Sequence, residues 1–201
     1  MRRLTALIKK IVPFPAEKQT ESFKIIKALD LLPGEWIPDD LPPGTSIFIE
    51  EGFLLVTRHR GDRWKCVNFF CEGTAAITHN KGAAEMKEGS FRIRAIEPSR
   101  IYYLTPNDEC RLKAIFPLYP IADRKLRHRS FVKDVQRALV LNYPPADRVI
   151  LVDHYFPNLL RAPTQDLIDF LELKTEAEKT MLEEIQRNRL LPKRQLAEKQ
   201  N

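Results

Sequence analysis

Cysteine and glycine are both scarce in this sequence. The 201 residues include three cysteines and seven glycines. The cysteines, Cys66, Cys71 and Cys110, form neither a CxxC pair nor a set with histidine at metal-ligand spacing. A disulfide framework and a structural zinc site are therefore excluded as organising features, and we expect unpaired thiols in a reducing cytoplasm.

Long apolar runs and catalytic signatures are also absent. No stretch approaches the roughly 20 apolar residues that a membrane helix needs, and the apolar segment within residues 1–10 is too short for a signal peptide. A Gly-rich phosphate loop and an HExxH motif are missing, and the four histidines (His59, His79, His128, His154) are scattered. We therefore expect a cytoplasmic protein that is not an enzyme and holds no metal or cofactor.

The sequence does have enough apolar residues for a core, and its middle third has strand character. Hydrophobic residues make up 43% of the chain. Between residues 44 and 105, β-branched and aromatic residues alternate with polar ones, and Gly, Asp and Pro separate the runs. The runs cover residues 46–49, 52–57, 63–70, 91–96 and 100–104. Antiparallel strands at this spacing predict a small barrel or jelly roll between helical ends, an α+β fold.

Helical patterns lie on both sides of these strands. Apolar residues recur at helical spacing over residues 4–11. A second helix is predicted to begin at Pro15, with an apolar face that reaches Leu29, and a third to begin at Pro106. These helices are expected to cover the strand region.

The longest helical pattern covers residues 121–141. Its apolar positions form one stripe, made of Ile121, Leu126, Phe131, Val132, Val135, Leu139 and Val140. Its basic residues are Arg124, Lys125, Arg127, Arg129, Lys133 and Arg137. Such a helix packs either on its own domain or against a second copy of itself, and we predict a homodimer through residues 121–141.

Prolines at 144 and 145 indicate a boundary between domains. Beyond it, the pattern predicts a helix over residues 146–156, a short helix capped by Thr164, and a further helix from Thr175 toward Arg187. The polar and basic residues 191–201 are predicted to form a flexible tail.

Four local motifs occur in this order: IFIEEGFLLV at 47–56, FFCEG at 69–73, RAIEPS at 94–99 and YFPNLLRAP at 155–163. Together with the order of elements, they resemble the Crp/Fnr superfamily of bacterial transcription regulators, particularly its short-tailed Bacteroidetes members. The resemblance covers nearly the whole chain. It implies a cyclic nucleotide-binding-like jelly-roll barrel with N-terminal helices over 1–120, a connector helix over 121–143, a helix-turn-helix domain over 144–190 and the tail over 191–201.

The resemblance also locates the family's ligand-binding cassette, from which this sequence departs. In nucleotide-binding members a Glu holds the ribose and an Arg neutralises the cyclic phosphate. Their positions fall here on Thr78 and Gly89, and only the small hydroxyl position, Ser90, is retained. Arg92 and Arg94 are near in sequence, but strand alternation places them on the opposite face. We therefore expect no response to cyclic AMP, and either a different small-molecule effector or none.

Residues 164–182 match the family's helix-turn-helix without gaps. The resemblance assigns DNA contact to Lys174, Thr175, Glu176, Lys179 and Thr180, with Arg187 and Arg189 available for phosphates. Three positions depart from the motif. Glu172 replaces the usual turn glycine, Ile168 replaces a small residue where the helices touch, and Glu178 replaces a buried apolar residue.

The charge of this helix pair is unusual for a motif that binds DNA. The whole chain has a net charge of +6, from 33 basic and 27 acidic side chains, yet residues 164–185 contain seven acidic side chains and two lysines. Acidic side chains are repelled by the phosphate backbone. Two functions remain open: a homodimeric Crp/Fnr-like transcription regulator that binds double-stranded DNA, and a degenerate member whose helix pair contacts a protein without sequence-specific DNA binding.

Overall fold

The structure, a computed structural model, describes residues 1–77 and 90–198. The chain divides into two compact units. The first consists of Met1–Trp64 and Asn68–Lys133, and the second of Lys65–Val67 and Asp134–Asn201. Among the described residues, no helix is both long and apolar enough to cross a membrane.

Seven strands lie within the described residues and form two sheets. They are β1 (Lys27–Leu31), β2 (Ser46–Glu51), β3 (Phe53–Arg60), β4 (Arg63–Cys71), β5 (Ala75–Ile77), β6 (Phe91–Ala95) and β7 (Ser99–Leu104). One sheet has the order β1-β7-β2-β5 and the other β4-β3-β6. The five predicted strands are confirmed as β2, β3, β4, β6 and β7, whereas β1 and β5 are additional. The predicted α+β class is confirmed.

Helices cover one side of the four-stranded sheet. They are α1 (Arg2–Lys9), α2 (Ala16–Phe23), α3 (Pro106–Ile115) and the beginning of α4 (Tyr119–Val140). The predicted start at Pro106 is confirmed. Thr105 and Asp108 form a capping box there, in which each side chain accepts the backbone N–H of the other residue.

The segment that follows α2 differs from the prediction. The apolar face of the second helix was expected to reach Leu29, but α2 ends at Phe23 and Leu29 lies in β1 opposite Ile101 of β7. The Ile26 N–H donates to the Ser22 carbonyl and closes the last helical turn. β1 then pairs with β7 along its whole length, and this long-range pairing decides its conformation.

Alternation along β2 divides the apolar interior of the first unit. Ile47 and Ile49 pack in the core between the two sheets, with Leu54 of β3 and Ile101 of β7. Phe48, between them in sequence, faces the helices. This is the period of two expected for a strand buried on both faces.

Gly52 joins β2 to β3 at a point where no other residue fits. Its φ is +99°, and a Cβ atom added there would lie 2.1 Å from Ser99 Oγ. The Ser99 hydroxyl is needed at this place, because it accepts the Phe53 N–H at 3.2 Å and donates to the Glu97 carbonyl at 2.7 Å. The glycine therefore allows the β2–β3 turn to approach the start of β7.

The second unit is helical apart from the short segment of β4 assigned to it. It contains α5 (Pro145–Tyr155), a 3-10 segment (Pro157–Arg161), α6 (Thr164–Leu171) and α7 (Glu176–Glu198). Leu167, Leu171 and Leu182 are fully buried and lock α6 against α7. The predicted helices of this region are confirmed.

The predicted cap at Thr164 is wrong. Thr164 is the first residue of α6, Pro163 is at the cap position, and no side chain caps the helix. The Thr164 hydroxyl instead donates to Gln186 Oε1 at 2.8 Å. The side-chain amide of buried Gln186 donates to the carbonyls of Leu160 and Ala162, so its oxygen remains available to accept the Thr164 hydroxyl.

The end of α7 also differs from expectation. A flexible tail was predicted from residue 191, but the helical backbone continues to Glu198. Residues 195–198 (QLAE) all have high helix propensity, which favours continuation of the helix.

Candidate functional site

The helix pair α6–α7 occupies the place of the predicted helix-turn-helix. Residues 172–175 separate the two helices. Glu172 ends α6 with φ +54° and ψ +41°, the left-handed conformation that glycine usually adopts. Among the described residues it is the only non-glycine residue with positive φ. The substitution at the turn is therefore accommodated by one strained residue.

Arg148 of α5 holds the end of α6. Its Nε donates to the Tyr143 carbonyl at 2.8 Å, and its NH1 donates to the Leu171 carbonyl at 2.6 Å. The Leu171 carbonyl is one of the terminal acceptors without an intrahelical partner, and the guanidinium also complements the negative end of the helix dipole. The role of Arg148 could not be predicted from the sequence, because its partner is 23 residues away and no local pattern marks it.

A capping box begins α7 and explains the third departure from the motif. The Glu178 carboxylate accepts the backbone N–H groups of Lys174 at 2.9 Å and Thr175 at 3.0 Å, and the Glu178 N–H donates to Thr175 Oγ1 at 3.3 Å. The bonds from Thr175 and Lys174 lower the pKa of Glu178. The pattern Thr-x-x-Glu at 175–178 is a signal for this box in the sequence.

The residues predicted to contact DNA fall into two groups. Lys174, Thr175, Glu176, Lys179 and Thr180 lie together at the turn and the beginning of α7, whereas Arg187 and Arg189 lie farther along that helix. At 1.5 Å per residue, the groups are separated by about 10–15 Å along the axis. The Thr175 hydroxyl accepts the Glu178 N–H as part of the helix cap, so only its own proton remains for contact with a base.

Two of the predicted cations are engaged by carboxylates of the same unit. Lys179 Nζ lies 2.7 Å from Glu176 Oε1, and Arg189 Nε lies 2.7 Å from Asp153 Oδ1. Lys174 and Arg187 are exposed. The surface around α7 is therefore less positive than its lysine and arginine content suggests.

The long helix α4 confirms the predicted helix over residues 121–141, within two residues at its start. Its apolar stripe is partly covered: Leu126 and Val140 are buried. The other five apolar positions, Ile121, Phe131, Val132, Val135 and Leu139, are exposed, with Phe131 at 62% and Leu139 at 53%. Large apolar side chains in a row on one helix indicate a surface that another molecule covers.

Polar contacts attach the first part of α4 to the rest of its unit. Arg127 NH2 donates to Ser46 Oγ of β2 at 2.6 Å and to Glu109 Oε1 of α3 at 2.8 Å. Its Nε donates to Asp123 Oδ1 at 2.7 Å. Farther along, the guanidinium of buried Arg137 is paired with Asp134. Arg127 and Arg137 thus form intramolecular ion pairs.

No protein-family model matches the sequence, and no curated protein matches it either. Solved structures do match. The c-di-GMP-responsive global regulator CLP of Xanthomonas campestris aligns with 87% of this chain and 93% of its own, at a TM-score of 0.57 and 15% identity. CprK in complex with OCPA aligns with 86% of this chain and 82% of its own, at a TM-score of 0.54 and 13% identity. A cyclic nucleotide-binding domain from Methylobacillus flagellatus aligns with 69% of this chain and 82% of its own, at a TM-score of 0.50 and 17% identity.

The chain shares the fold of these proteins. The likeness to CLP and CprK extends over both units, since each alignment covers more than four fifths of the chain. At these sequence identities the likeness concerns the fold.

The predicted ligand-binding cassette is described only at one residue. Thr78 and Gly89, and with them His79, lie outside the described residues. Ser90 is half-buried just before β6, and its carbonyl accepts the His59 N–H at 2.9 Å.

Arg92 and Arg94 lie on the face of β6 opposite to Ile93, as predicted. Arg92 NH2 pairs with Asp39 at 2.8 Å, and its guanidinium lies 4.5 Å from the ring centre of Trp36. The Arg94 guanidinium lies 5.6 Å from the same ring. Ile93 packs toward the core between the sheets. The two arginines are thus part of an aromatic surface cluster and do not face that core.

All three cysteines are among the described residues, and they form no disulfide. Cys66 is buried, Cys71 is half-buried, and Cys110 on α3 is exposed. Among the described residues, no group of histidine, cysteine and carboxylate side chains has the arrangement of a metal site.

Proposed function

We propose that this protein is a homodimeric transcription regulator of the Crp/Fnr superfamily, of the Bacteroidetes type, that acts in the cytoplasm without catalytic activity. In this proposal the second unit binds double-stranded DNA, and the sensor part does not respond to cyclic AMP. The main support is the α6–α7 pair, buried through Leu167, Leu171 and Leu182, in a chain whose fold likeness to the regulator CLP includes both units.

The proposed division of labour follows the chain. Residues 1–120 form the sensor, residues 121–143 connect and dimerise, residues 144–190 bind DNA, and residues 191–201 follow as a tail. The exposed apolar side chains of α4 support the dimer. Phe131, Val135 and Leu139 recur at helical spacing, and contact of these side chains with water is unfavourable unless a partner covers them.

DNA contact in this proposal uses both groups of residues on α7. Lys174, Thr180 and Arg187 are exposed and reach phosphates or bases directly. Lys179 exchanges its Glu176 partner for a phosphate, and Arg189 does the same with Asp153. Both present pairs are exposed, and such pairs contribute only about 0–1 kcal/mol, so the exchange requires little free energy.

A second candidate function also has an observation in its favour. The same ion pairs, Lys179 with Glu176 and Arg189 with Asp153, balance two positive charges of the helix surface within the protein itself, without a bound DNA. This favours a degenerate regulator whose acidic helix pair contacts a basic protein surface and does not read DNA sequence.

Selection from a random duplex library, followed by measurement of affinity at salt concentrations from about 50 to 200 mM, distinguishes the two functions. We expect an enriched duplex whose log affinity falls with log salt by about 0.9 per phosphate contact. Lys174→Ala and Arg187→Ala should each reduce this slope by about one contact. Thr180→Ala and Lys179→Ala should weaken binding of the selected duplex more than binding of a scrambled duplex.

Lys18→Ala is the matched control, because Lys18 forms the same kind of exposed i,i+3 pair, with Glu21, in the first unit. It should leave both affinity and slope unchanged. A slope near zero, or equal affinity for selected and scrambled duplexes, would remove the DNA-binding function and favour the protein-contact alternative.

A further inference from the structure

The first unit contains a cavity of about 50 Å³ between its helices and the four-stranded sheet. Its walls come from α1–α4 on one side and from β2 and β7 on the other, and most of its lining side chains are apolar and buried. Phe48 and Leu104, which line it, belong to the core on the helical side of the sheet. The cavity thus lies mainly on the helical side of the sheet, where only Ile47, among the described residues of the inter-sheet core cluster, contributes to its wall, and Ser90 is not among its lining residues.

One buried polar atom in this cavity lacks a partner. Ser22 of α2 is 1% exposed and lines the cavity, and its Oγ forms no hydrogen bond with any described residue. A hydroxyl without a partner inside a protein is destabilising, and most buried polar groups avoid it. The apolar neighbours of Ser22 in the cavity wall, such as Phe14 and Ile26, offer few polar partners for a water molecule, which needs two to four of them.

Other polar groups at the cavity decide the charge of a possible ligand. Asp123 lines it, but its carboxylate accepts from Arg127 Nε at 2.7 Å and is thereby neutralised. The described lining residues include no lysine or arginine that would balance an anion. Burial, together with Asp123 and Glu109, raises the pKa of the Tyr119 hydroxyl, so it stays protonated. The lining therefore suits a neutral molecule.

We propose that this cavity is a binding site for a small, neutral, largely apolar molecule with one hydroxyl or carbonyl group that hydrogen-bonds Ser22. A cavity of about 150 Å³ accommodates benzene, so the ligand of the present cavity is smaller than benzene, of the size of a short-chain alcohol or ketone. This site goes beyond the proposed function, since its existence does not depend on whether the second unit binds DNA.

The test uses the full chain and two probes that are smaller than benzene and have equal numbers of non-hydrogen atoms, ethanol and propane. Methyl NMR spectra follow the resonances of Ile8, Ile26, Leu104 and Leu112 during each titration. We expect saturable shifts of these methyl groups with ethanol, and weaker binding of propane. Ser22→Ala should reduce the preference for ethanol over propane by about fivefold, because it removes one hydrogen bond.

Thr20→Ala is the matched control, since Thr20 lies on the same helix, is exposed, and donates its hydroxyl only to the Ala16 carbonyl. It should leave both titrations unchanged. Leu112→Phe, which fills the cavity, should abolish the shifts, and a thermal melt establishes that this variant is folded. If Leu112→Phe does not fold, the Ser22→Ala comparison alone decides. The proposal is overturned if neither probe saturates, if Ser22→Ala keeps the full preference for ethanol, or if the folded filled variant binds as wild type does.

Discussion

Glu172 is held in a left-handed backbone conformation at the turn between α6 and α7, with φ +54°. This conformation is about 1–2 kcal/mol less favourable for a residue with a Cβ atom, whereas glycine adopts it freely. Glu172→Gly should therefore raise the free energy of unfolding by about 1 kcal/mol in urea titrations. The lost contact with Arg148 is small, because the carboxylate is 4.0 Å away and exposed.

Glu172→Ala is the control for this prediction. It removes the same carboxylate but keeps a Cβ atom, so it should not gain stability. If the Glu172→Gly and Glu172→Ala variants have the same free energy of unfolding, the left-handed conformation at this turn does not destabilise the fold and the prediction is wrong.

Glu50 is a buried carboxylate that supports the first helix. It accepts the backbone N–H groups of Arg3 at 2.7 Å and Leu4 at 3.0 Å. Burial raises the pKa of Glu50, but these hydrogen bonds and the Met1 ammonium, 3.1 Å away, together outweigh burial, and the pKa lies below its ordinary value of 4.5. Glu50→Gln should therefore lower the free energy of unfolding near neutral pH by about 2 kcal/mol, since hydrogen bonds to a charged acceptor are lost.

The pH dependence of that difference has a definite sign. A lowered pKa means that the carboxylate stabilises the fold above pH 4.5 and that this contribution disappears as the pH falls through the folded-state pKa. The difference between wild type and Glu50→Gln, measured by urea unfolding from neutral to acidic pH, should shrink in that window. Glu51→Gln, at the exposed neighbour, should show no such difference. A constant difference between wild type and Glu50→Gln at all pH values would contradict the role of the charge.

At the scale of elements, α4 carries the dimer prediction. Phe131 and Leu139 are 62% and 53% exposed on its apolar stripe. Phe131→Glu would place a charge in the buried centre of the proposed interface, and an unpaired buried charge destabilises by several kcal/mol. We expect the dimer dissociation constant to rise at least about 100-fold, which sedimentation velocity measures.

Ile150→Glu is the matched control, because Ile150 is also a large apolar residue, 52% exposed, on α5 outside the proposed interface. It should leave the dimer intact. A wild-type chain that sediments as a monomer at high concentration would contradict the assignment of α4 as the dimer helix.

Elements with their own periodicity were predictable, and elements that depend on distant partners were not. The alternation at the start of β4 and in β6 and the apolar stripe of α4 are local patterns, and these elements form as predicted. β1 was missed because its sequence, KALDL, has no strand pattern of its own and is ordered by pairing with β7. β5 has three residues, too few for any periodicity.

The same limit applies to the candidate site. The positions of Lys174, Thr180 and Arg187 on a helix follow from the sequence, and the capping role of Glu178 was readable from the Thr-x-x-Glu spacing. The role of Arg148 and the engagement of Arg189 by Asp153 were not, because both depend on how α5 packs in its unit.

For the whole molecule, the strongest functional expectation is the absence of a cyclic AMP response. A ligand in large excess over its dissociation constant stabilises the fold, by about 2.7 kcal/mol at a hundredfold excess. The sequence resemblance predicts Thr78 and Gly89 at the positions where nucleotide-binding Crp/Fnr proteins have a glutamate and an arginine, so we expect cyclic AMP to leave the melting temperature unchanged. The double variant Thr78→Glu with Gly89→Arg should gain a response. A cyclic AMP-dependent shift in wild type would show that other residues supply the phosphate contact.

The three cysteines differ in exposure, and this difference allows one of them to be labelled selectively. Cys110 is exposed on α3 while Cys66 is buried and Cys71 half-buried, so a maleimide dye should react first at position 110 without any engineered cysteine. Glu109, next to it in sequence, bonds Arg127 of α4. A fluorophore attached there reports from beside the helix on which both the dimer and the cavity depend.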